Sequence, residues 1–155
     1  MVCYGVFQVK GSNTYLERQT VANRGEVLFE QYCQENHYEC RRVGFDEKNN
    51  FVTTFYDLST LLRNLPDYVM VRPDSTYVVN VKGTANIKKK EIDLLPLMME
   101  WFSSRSAPLV YAFCFEHSDP LFIHPEQMID LYRRSVDKQW SDGVIYRNLN
   151  LMEFA

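Results

Sequence analysis

A chain of 155 residues with 46% hydrophobic and 14% aromatic residues holds enough apolar material for one core, which fits a single domain over residues 1–155. Charged residues at 24%, with only 6 Gly and 6 Pro, exclude a low-complexity or disordered chain. A formal net charge of −3 excludes binding of nucleic acid through overall charge, so any such binding has to rest on a local patch.

The cysteines stand at 3, 33, 40 and 114, with no C-x-x-C and no His/Cys spacing of a zinc finger. Cys33 and Cys114 fall in apolar segments and read as core thiols. The start Met-Val-Cys-Tyr-Gly lacks a charged segment followed by an apolar one, and no apolar run approaches the roughly 20 residues of a membrane span. The expectation is a soluble, reduced, cytoplasmic protein with no membrane partner.

In chain order, Val2–Val9 reads as a short strand and Gly11-Ser12-Asn13 as a turn. Asn23 is a candidate N-cap for a helix running to about Asn36, with Leu28, Phe29, Tyr32 and Cys33 as its apolar stripe. Glu26 lies on the inward edge of that stripe and also suits the positive end of the helix dipole. Tyr38–Phe45 and Phe51–Tyr56 read as strands around the polar turn Asp46–Asn50, and Asp57–Leu65 as a short segment with leucines at helical spacing.

Tyr68–Val71 and Thr76–Lys82 flank Arg72-Pro73-Asp74-Ser75, and proline followed by aspartate predicts a type I turn and a hairpin. Gly83 ends the second strand. Ile87–Ser103 predicts a helix that opens with Lys88, Lys89 and Lys90, buries Leu94, Leu95, Met98, Trp101 and Phe102, and kinks or restarts at Pro96. Pro108–Glu116 is apolar almost throughout, the pattern of a central strand covered on both faces. Pro125–Ser135 predicts a last helix and Val144–Leu151 a last strand or extended tail. The order of elements implies an α/β fold, a mixed central sheet flanked by helices on both faces.

Side chains alternate across a strand, so Asn80 and Lys82 share a face with Val78, and Asp67 shares one with Val69 and Val71. Pairing through the Arg72–Ser75 turn brings Asp67 to the Asn80–Lys82 end of the hairpin, and Glu26 can join them if its helix packs over the sheet. Hydrolysis of a phosphodiester needs such a cluster: Mg²⁺ takes hard oxygen ligands, commonly one or two carboxylates, and a lysine stabilises the charge that develops on phosphorus.

Pro66-Asp67, a spacer, then Asn80-Val81-Lys82 resembles the signature of the PD-(D/E)XK nuclease superfamily, and the likeness in element order runs from about Asn23 to Glu116. The resemblance implies a restriction-endonuclease-like or Holliday-junction-resolvase-like fold and a Mg²⁺- or Mn²⁺-dependent DNA endonuclease. It makes Asp67 a metal ligand and catalytic acid, Lys82 the catalytic lysine, and Glu26, in Arg24-Gly25-Glu26, the acid of the first helix. The departure is Asn80, which stands where the family has its second acid. Some members carry that acid on the following helix, where Glu91 and Asp93 are the candidates. A homodimer fits a family in which many members cut two strands.

Lys88, Lys89 and Lys90 form a local basic patch that could contact nucleic-acid phosphates, or else a solvated helix start. Asp67 could instead only cap or turn the chain after Pro66, Asp74 reads as turn chemistry, and Lys82 could be an ordinary strand-end lysine. Glu116-His117 and His124 lack an accompanying nucleophile motif and read as structural or surface residues. The tyrosines read as core, with Tyr68 or Tyr77 as candidates to stack on a base. Two further functions are compatible with the chain: a nuclease-fold protein without activity that binds nucleic acid or a protein partner, which Asn80 favours, and a small accessory or inhibitor protein acting through protein contacts.

Overall fold

Helix α1 (Tyr15–Glu35) carries Phe29 and Cys33 into the interior, with Leu28 and Tyr32 at their flank, as the helical spacing predicts. The computed structural model describes residues 15–43, 65–103 and 106–154. The expected elements at Val2–Val9, Gly11–Asn13, Asp46–Asn50, Phe51–Tyr56 and most of Asp57–Leu65 lie outside the described residues. Asn23 is not an N-cap: it sits inside α1, which has already begun at Tyr15. Gly25, a residue that weakens an isolated helix, also lies inside α1. It is there for a contact described below.

The helix stops without a glycine. His37 takes the left-handed conformation at φ 59°, while the amide of Tyr38 donates to the Cys33 carbonyl at 2.8 Å and that of His37 to the Gln34 carbonyl at 3.2 Å. These two bonds form a Schellman end that satisfies the last carbonyls and turns the chain into β1 (Glu39–Arg42).

Strands β2 (Tyr68–Val71) and β3 (Thr76–Lys82) form the expected hairpin, paired antiparallel with Val69 opposite Val78. The amide of Arg72 donates to the Ser75 carbonyl at 2.8 Å across the turn that holds Pro73 and Asp74. After β3 comes a short strand absent from the expectation, β4 (Asn86–Lys88), and then helix α2 (Lys89–Trp101). The helix therefore begins two residues later than Ile87, and Lys88 belongs to a strand. Pro96 causes no restart: α2 runs unbroken through it, with Pro96 on the exposed side.

Strand β5 (Leu109–Phe113) is buried along its whole length and lies parallel to β3, with Asn80 opposite Tyr111. Strand β6 (Leu121–Ile123), also unforeseen, pairs antiparallel with β5. Helix α3 (Pro125–Arg133) follows, with the amide of His124 bonded to Gln127 Oε1 at 2.9 Å. The order across the central sheet is β1-β2-β3-β5-β6, mixed through its one parallel pair. Strands β7 (Asp137–Gln139) and β8 (Ile145–Asn148) join β4 in a second sheet of order β4-β8-β7, and a single 3-10 turn (Leu151–Phe154) closes the described chain.

Two cores lie on the two faces of the central sheet, and β5 feeds both with period two. Leu109, Tyr111 and Phe113 join Val78, Ile123, Leu95 and Met98 of α2, and Met128 and Leu131 of α3. Val110, Ala112 and Cys114 join Tyr68, Met70, Val79, Val81 and the Phe29 and Cys33 side chains of α1. This is the α/β arrangement with helices on both faces that the pattern predicts. No helix among the described residues is long and apolar enough to cross a membrane.

Cys33, Cys40 and Cys114 are free thiols, and Cys33 and Cys114 are buried as expected. Burial, with Cys40 beside it, pushes the Cys33 thiol up to about 12, and burial also raises Cys114. Both are therefore protonated and shielded at pH 8, and the thiolate is the reactive form. In a Cys3→Ser variant, Cys33 and Cys114 should react with an aromatic disulfide reagent at pH 8 only as fast as the protein unfolds. Rapid labelling of either in the folded protein would contradict this packing.

Candidate active site

The close approach of α1 to the end of β3 is the first thing that shapes the site. A Cβ on Gly83 would lie 2.2 Å from the Val21 carbonyl oxygen, and a Cβ on Gly25 would lie 2.7 Å from Gly83 Cα. Two glycines thus let the helix backbone rest on the chain just beyond Lys82. Neither position needs glycine for its own dihedral angles. The need is for space.

Asp67 sits immediately before β2. Its amide donates to the Val79 carbonyl at 3.0 Å and its Oδ2 accepts from the Val81 amide at 2.8 Å. The carboxylate takes a strand amide at the point where the β2–β3 ladder ends, so Asp67 does have the turn-capping role weighed for it. It also acts on the Tyr111 phenol in the first core, as does Glu91. Burial pushes that phenol up, Glu91 and Asp67 add to the rise, and a hydrogen bond with the Asn80 side chain opposes it. Tyr111 thus bonds Asn80 and lies within electrostatic reach of Asp67 and Glu91.

Lys82 is two residues beyond Asn80 on the same face of β3 and its Nζ is ion-paired with Glu91 Oε2. Their side chains are only 19% and 11% exposed, so the pair is screened less than a surface ion pair. Glu91 stands in the first turn of α2, where the helix dipole favours a carboxylate. Asp93 points elsewhere, to Lys89 at 2.7 Å on the exposed side of the helix. Of the two candidates for a migrated acid, the structure brings Glu91 into the cluster.

Glu26 has a different setting. It belongs to α1, whose buried residues pack on the opposite face of the sheet, and its Oε2 accepts from Arg42 at 3.2 Å. The same Arg42 nitrogen contacts Glu30 Oε1 at 3.2 Å and the Tyr68 hydroxyl at 2.7 Å. Tyr68 is 1% exposed, so the suggestion that it stacks on a base does not hold. Arg24 pairs with Glu116, and His117 lies exposed at φ 65° in the β5–β6 connection, a surface role as expected.

The three lysines do not form one patch. Lys89 and Lys90 are exposed, and Lys89 is neutralised by Asp93. Lys88 is only partly exposed, and its pKa is lowered by burial, with Glu91 opposing and Lys82, Arg18 and Lys90 reinforcing. Tyr111 and Arg18 were missed in the sequence. Tyr111 is one tyrosine in an otherwise apolar run, and only the parallel register with Asn80 gives it meaning.

The donors gathered near Tyr111 are all oxygen: two carboxylates and one amide. That set suits a hard divalent cation such as Mg²⁺, which commonly binds through one or two carboxylates and retains water. No group of three His, Cys, Asp or Glu side chains is gathered closely enough to hold a metal among the described residues. No family model matches the chain, and no curated protein or solved structure matches it significantly.

Proposed function

We propose that the protein is a metal-dependent endonuclease that hydrolyses phosphodiester bonds in DNA, on a restriction-endonuclease-like fold in which Glu91 takes the place of the acid replaced by Asn80. The observation that carries this reading is that Lys82, two residues beyond Asn80 on one face of β3, is ion-paired with Glu91, while Asp67 and Glu91 both act electrostatically on the Tyr111 phenol that bonds Asn80. Asp67, Asn80 and Lys82 stand out by spacing and Glu91 by the family resemblance, and a purely structural role for each would not require Lys82 to pair with Glu91.

Asp67 and Glu91 would hold the cation, with the Asn80 amide oxygen as a neutral third donor. The bound cation supplies polarisation of the phosphoryl oxygen and a more acidic water. Lys82 presents a cation to the charge that develops on the phosphoryl oxygens. Its position depends on Glu91, which holds the ammonium at the strand end in the absence of substrate. Tyr111 orients the Asn80 side chain from beneath and keeps the floor of the site dry.

Asn80 also favours a second reading, a nuclease-fold protein that binds nucleic acid or a protein without cutting. A cleavage assay on linear, single-stranded and branched DNA with Mg²⁺ and then Mn²⁺ separates the two. The parent should cleave, and Asp67→Ala and Lys82→Ala should each lower the rate by about 100-fold or more. A folded parent that leaves every substrate intact in both metals would establish the silent binder instead.

A further inference from the structure

Lys88 stands out as a partly buried cation with no anionic partner among the described residues. Among the described residues it forms no ion pair, whereas Lys82 has Glu91 and Lys89 has Asp93. A charge removed from water is costly unless paired and hydrogen-bonded. Lys82, Arg18 and Lys90 oppose its charge, and Glu91, which favours it, is already engaged by Lys82.

The second sheet builds this environment. Lys88 is opposite Tyr146 in the β4–β8 pairing, in the same row as Asn86 and Asn148, whose side chains bond at 2.8 Å. Tyr146 stacks on Trp140 with ring centroids 4.1 Å apart and planes 12° from parallel. The Arg18 guanidinium lies 4.2 Å from the Trp140 ring centroid and is held by Asp142 at 2.5 Å. The Arg18 guanidinium is thus fixed between an aromatic ring and a carboxylate, and Lys88 lies across the strand pair from the Tyr146 that stacks on that ring. The ring attracts the guanidinium without carrying a countercharge of its own.

We propose that Lys88 and Arg18 form a phosphoryl-binding site next to the Asp67–Glu91 cluster, and that it takes a backbone phosphate of the nucleic acid flanking the one to be cleaved. This rests on the endonuclease reading. It also divides the lysine triplet, because Lys88 binds and Lys90 does not.

The test is fluorescence anisotropy of a labelled DNA oligonucleotide in EDTA, so that binding is read without cleavage, at several salt concentrations. Lys88→Gln should weaken binding about tenfold and lower the slope of log affinity against log salt by about one, while Lys90→Gln changes neither. Lys88→Arg should restore most of the affinity. Thermal melting of the free protein supplies a second readout: removal of an unpaired, partly buried charge should leave the melting temperature equal or higher, and a clear fall would make Lys88 a structural residue and overturn the proposal. Melting with inorganic phosphate distinguishes the source of the phosphoryl group. Stabilisation by phosphate that Lys88→Gln abolishes, with DNA affinity unchanged, would overturn the nucleic-acid assignment in favour of free phosphate. A parent that binds DNA with Lys88→Gln and Lys90→Gln indistinguishable from it would overturn this proposal alone. A parent that binds no DNA would overturn the endonuclease reading along with it.

Discussion

Glu91→Gln should lower metal-dependent cleavage by roughly 100- to 1,000-fold and shift the metal requirement to higher concentration. At about 4 Å and an effective dielectric near 20, loss of one carboxylate removes on the order of 4 kcal/mol of attraction for each unit of cation charge. Solvent and the remaining ligands recover part of this, and a factor of ten in rate corresponds to about 1.4 kcal/mol. The substitution also releases Lys82 from its ion pair. The two effects separate in a titration of Mg²⁺ against rate. A lost ligand raises the Mg²⁺ concentration needed for half-maximal rate, whereas a misplaced lysine lowers the plateau alone. Asn80→Asp should act in the opposite sense on metal affinity, since it adds a carboxylate to those of Asp67 and Glu91 that act on Tyr111. Without metal the added like charge should cost stability. A Glu91→Gln protein with the parent's rate and metal dependence would leave Glu91 as no more than the partner of Lys82.

Gly83→Ala should destabilise the fold by about 3 kcal/mol or more, a fall of roughly 6–12 °C in melting temperature for a domain of this size. The added methyl would meet the Val21 carbonyl oxygen at 2.2 Å, backbone against backbone, with no flexible side chain to yield. Helix α1 would have to lift from the sheet and uncover Phe29 and Cys33, which are 0% and 1% exposed. Gly25→Ala gives the more diagnostic sign. On helix propensity alone, alanine inside α1 should stabilise by about 1 kcal/mol. Its Cβ would stand 2.7 Å from Gly83 Cα, so the expected result is a loss. Chemical denaturation of both variants checks this, and a stabilised Gly25→Ala protein would mean that α1 does not rest on the strand end.

The hairpin and the buried strand were legible in the sequence because their signals are local. Proline and aspartate set the turn at Arg72–Ser75, and β-branched and aromatic residues on either side mark the two strands. The apolar run around β5 announced a strand covered on both faces, and its alternation between two cores follows from the pleat. The elements that escaped notice are three or four residues long and owe their form to partners far away in sequence. Strand β4 exists because Asn86–Lys88 finds β8 some 60 residues later, as in the pairing of Asn86 with Asn148. The helical spacing from Ile87 onward takes in two of its three residues, which groups Lys88 with Lys89 and Lys90. α1 begins earlier than the capping chemistry of Asn23 suggests, because Asn23 lies inside the helix, where such a residue leaves no boundary.

For the candidate site, strand periodicity and one turn place Asp67 near Asn80 and Lys82, whereas Glu91 enters only through the family resemblance. Whether Glu26 joins them depends on which face of the sheet α1 covers, and no local signal carries that. The structure places α1 against Tyr68, Val79 and Val81, with Glu26 held by Arg42. Asn80 lies on the face that α2 and α3 cover, bonded to Tyr111.

The most direct measurement is anomalous diffraction from crystals soaked in Mn²⁺. The account predicts a peak within direct ligand distance, about 2.1 Å, of both an Asp67 and a Glu91 carboxylate oxygen, with Lys82 displaced from Glu91. Well-ordered side chains at these positions with no peak between them, or with Mn²⁺ bound elsewhere and the Lys82–Glu91 pair intact, would contradict the claim that Glu91 completes a metal site.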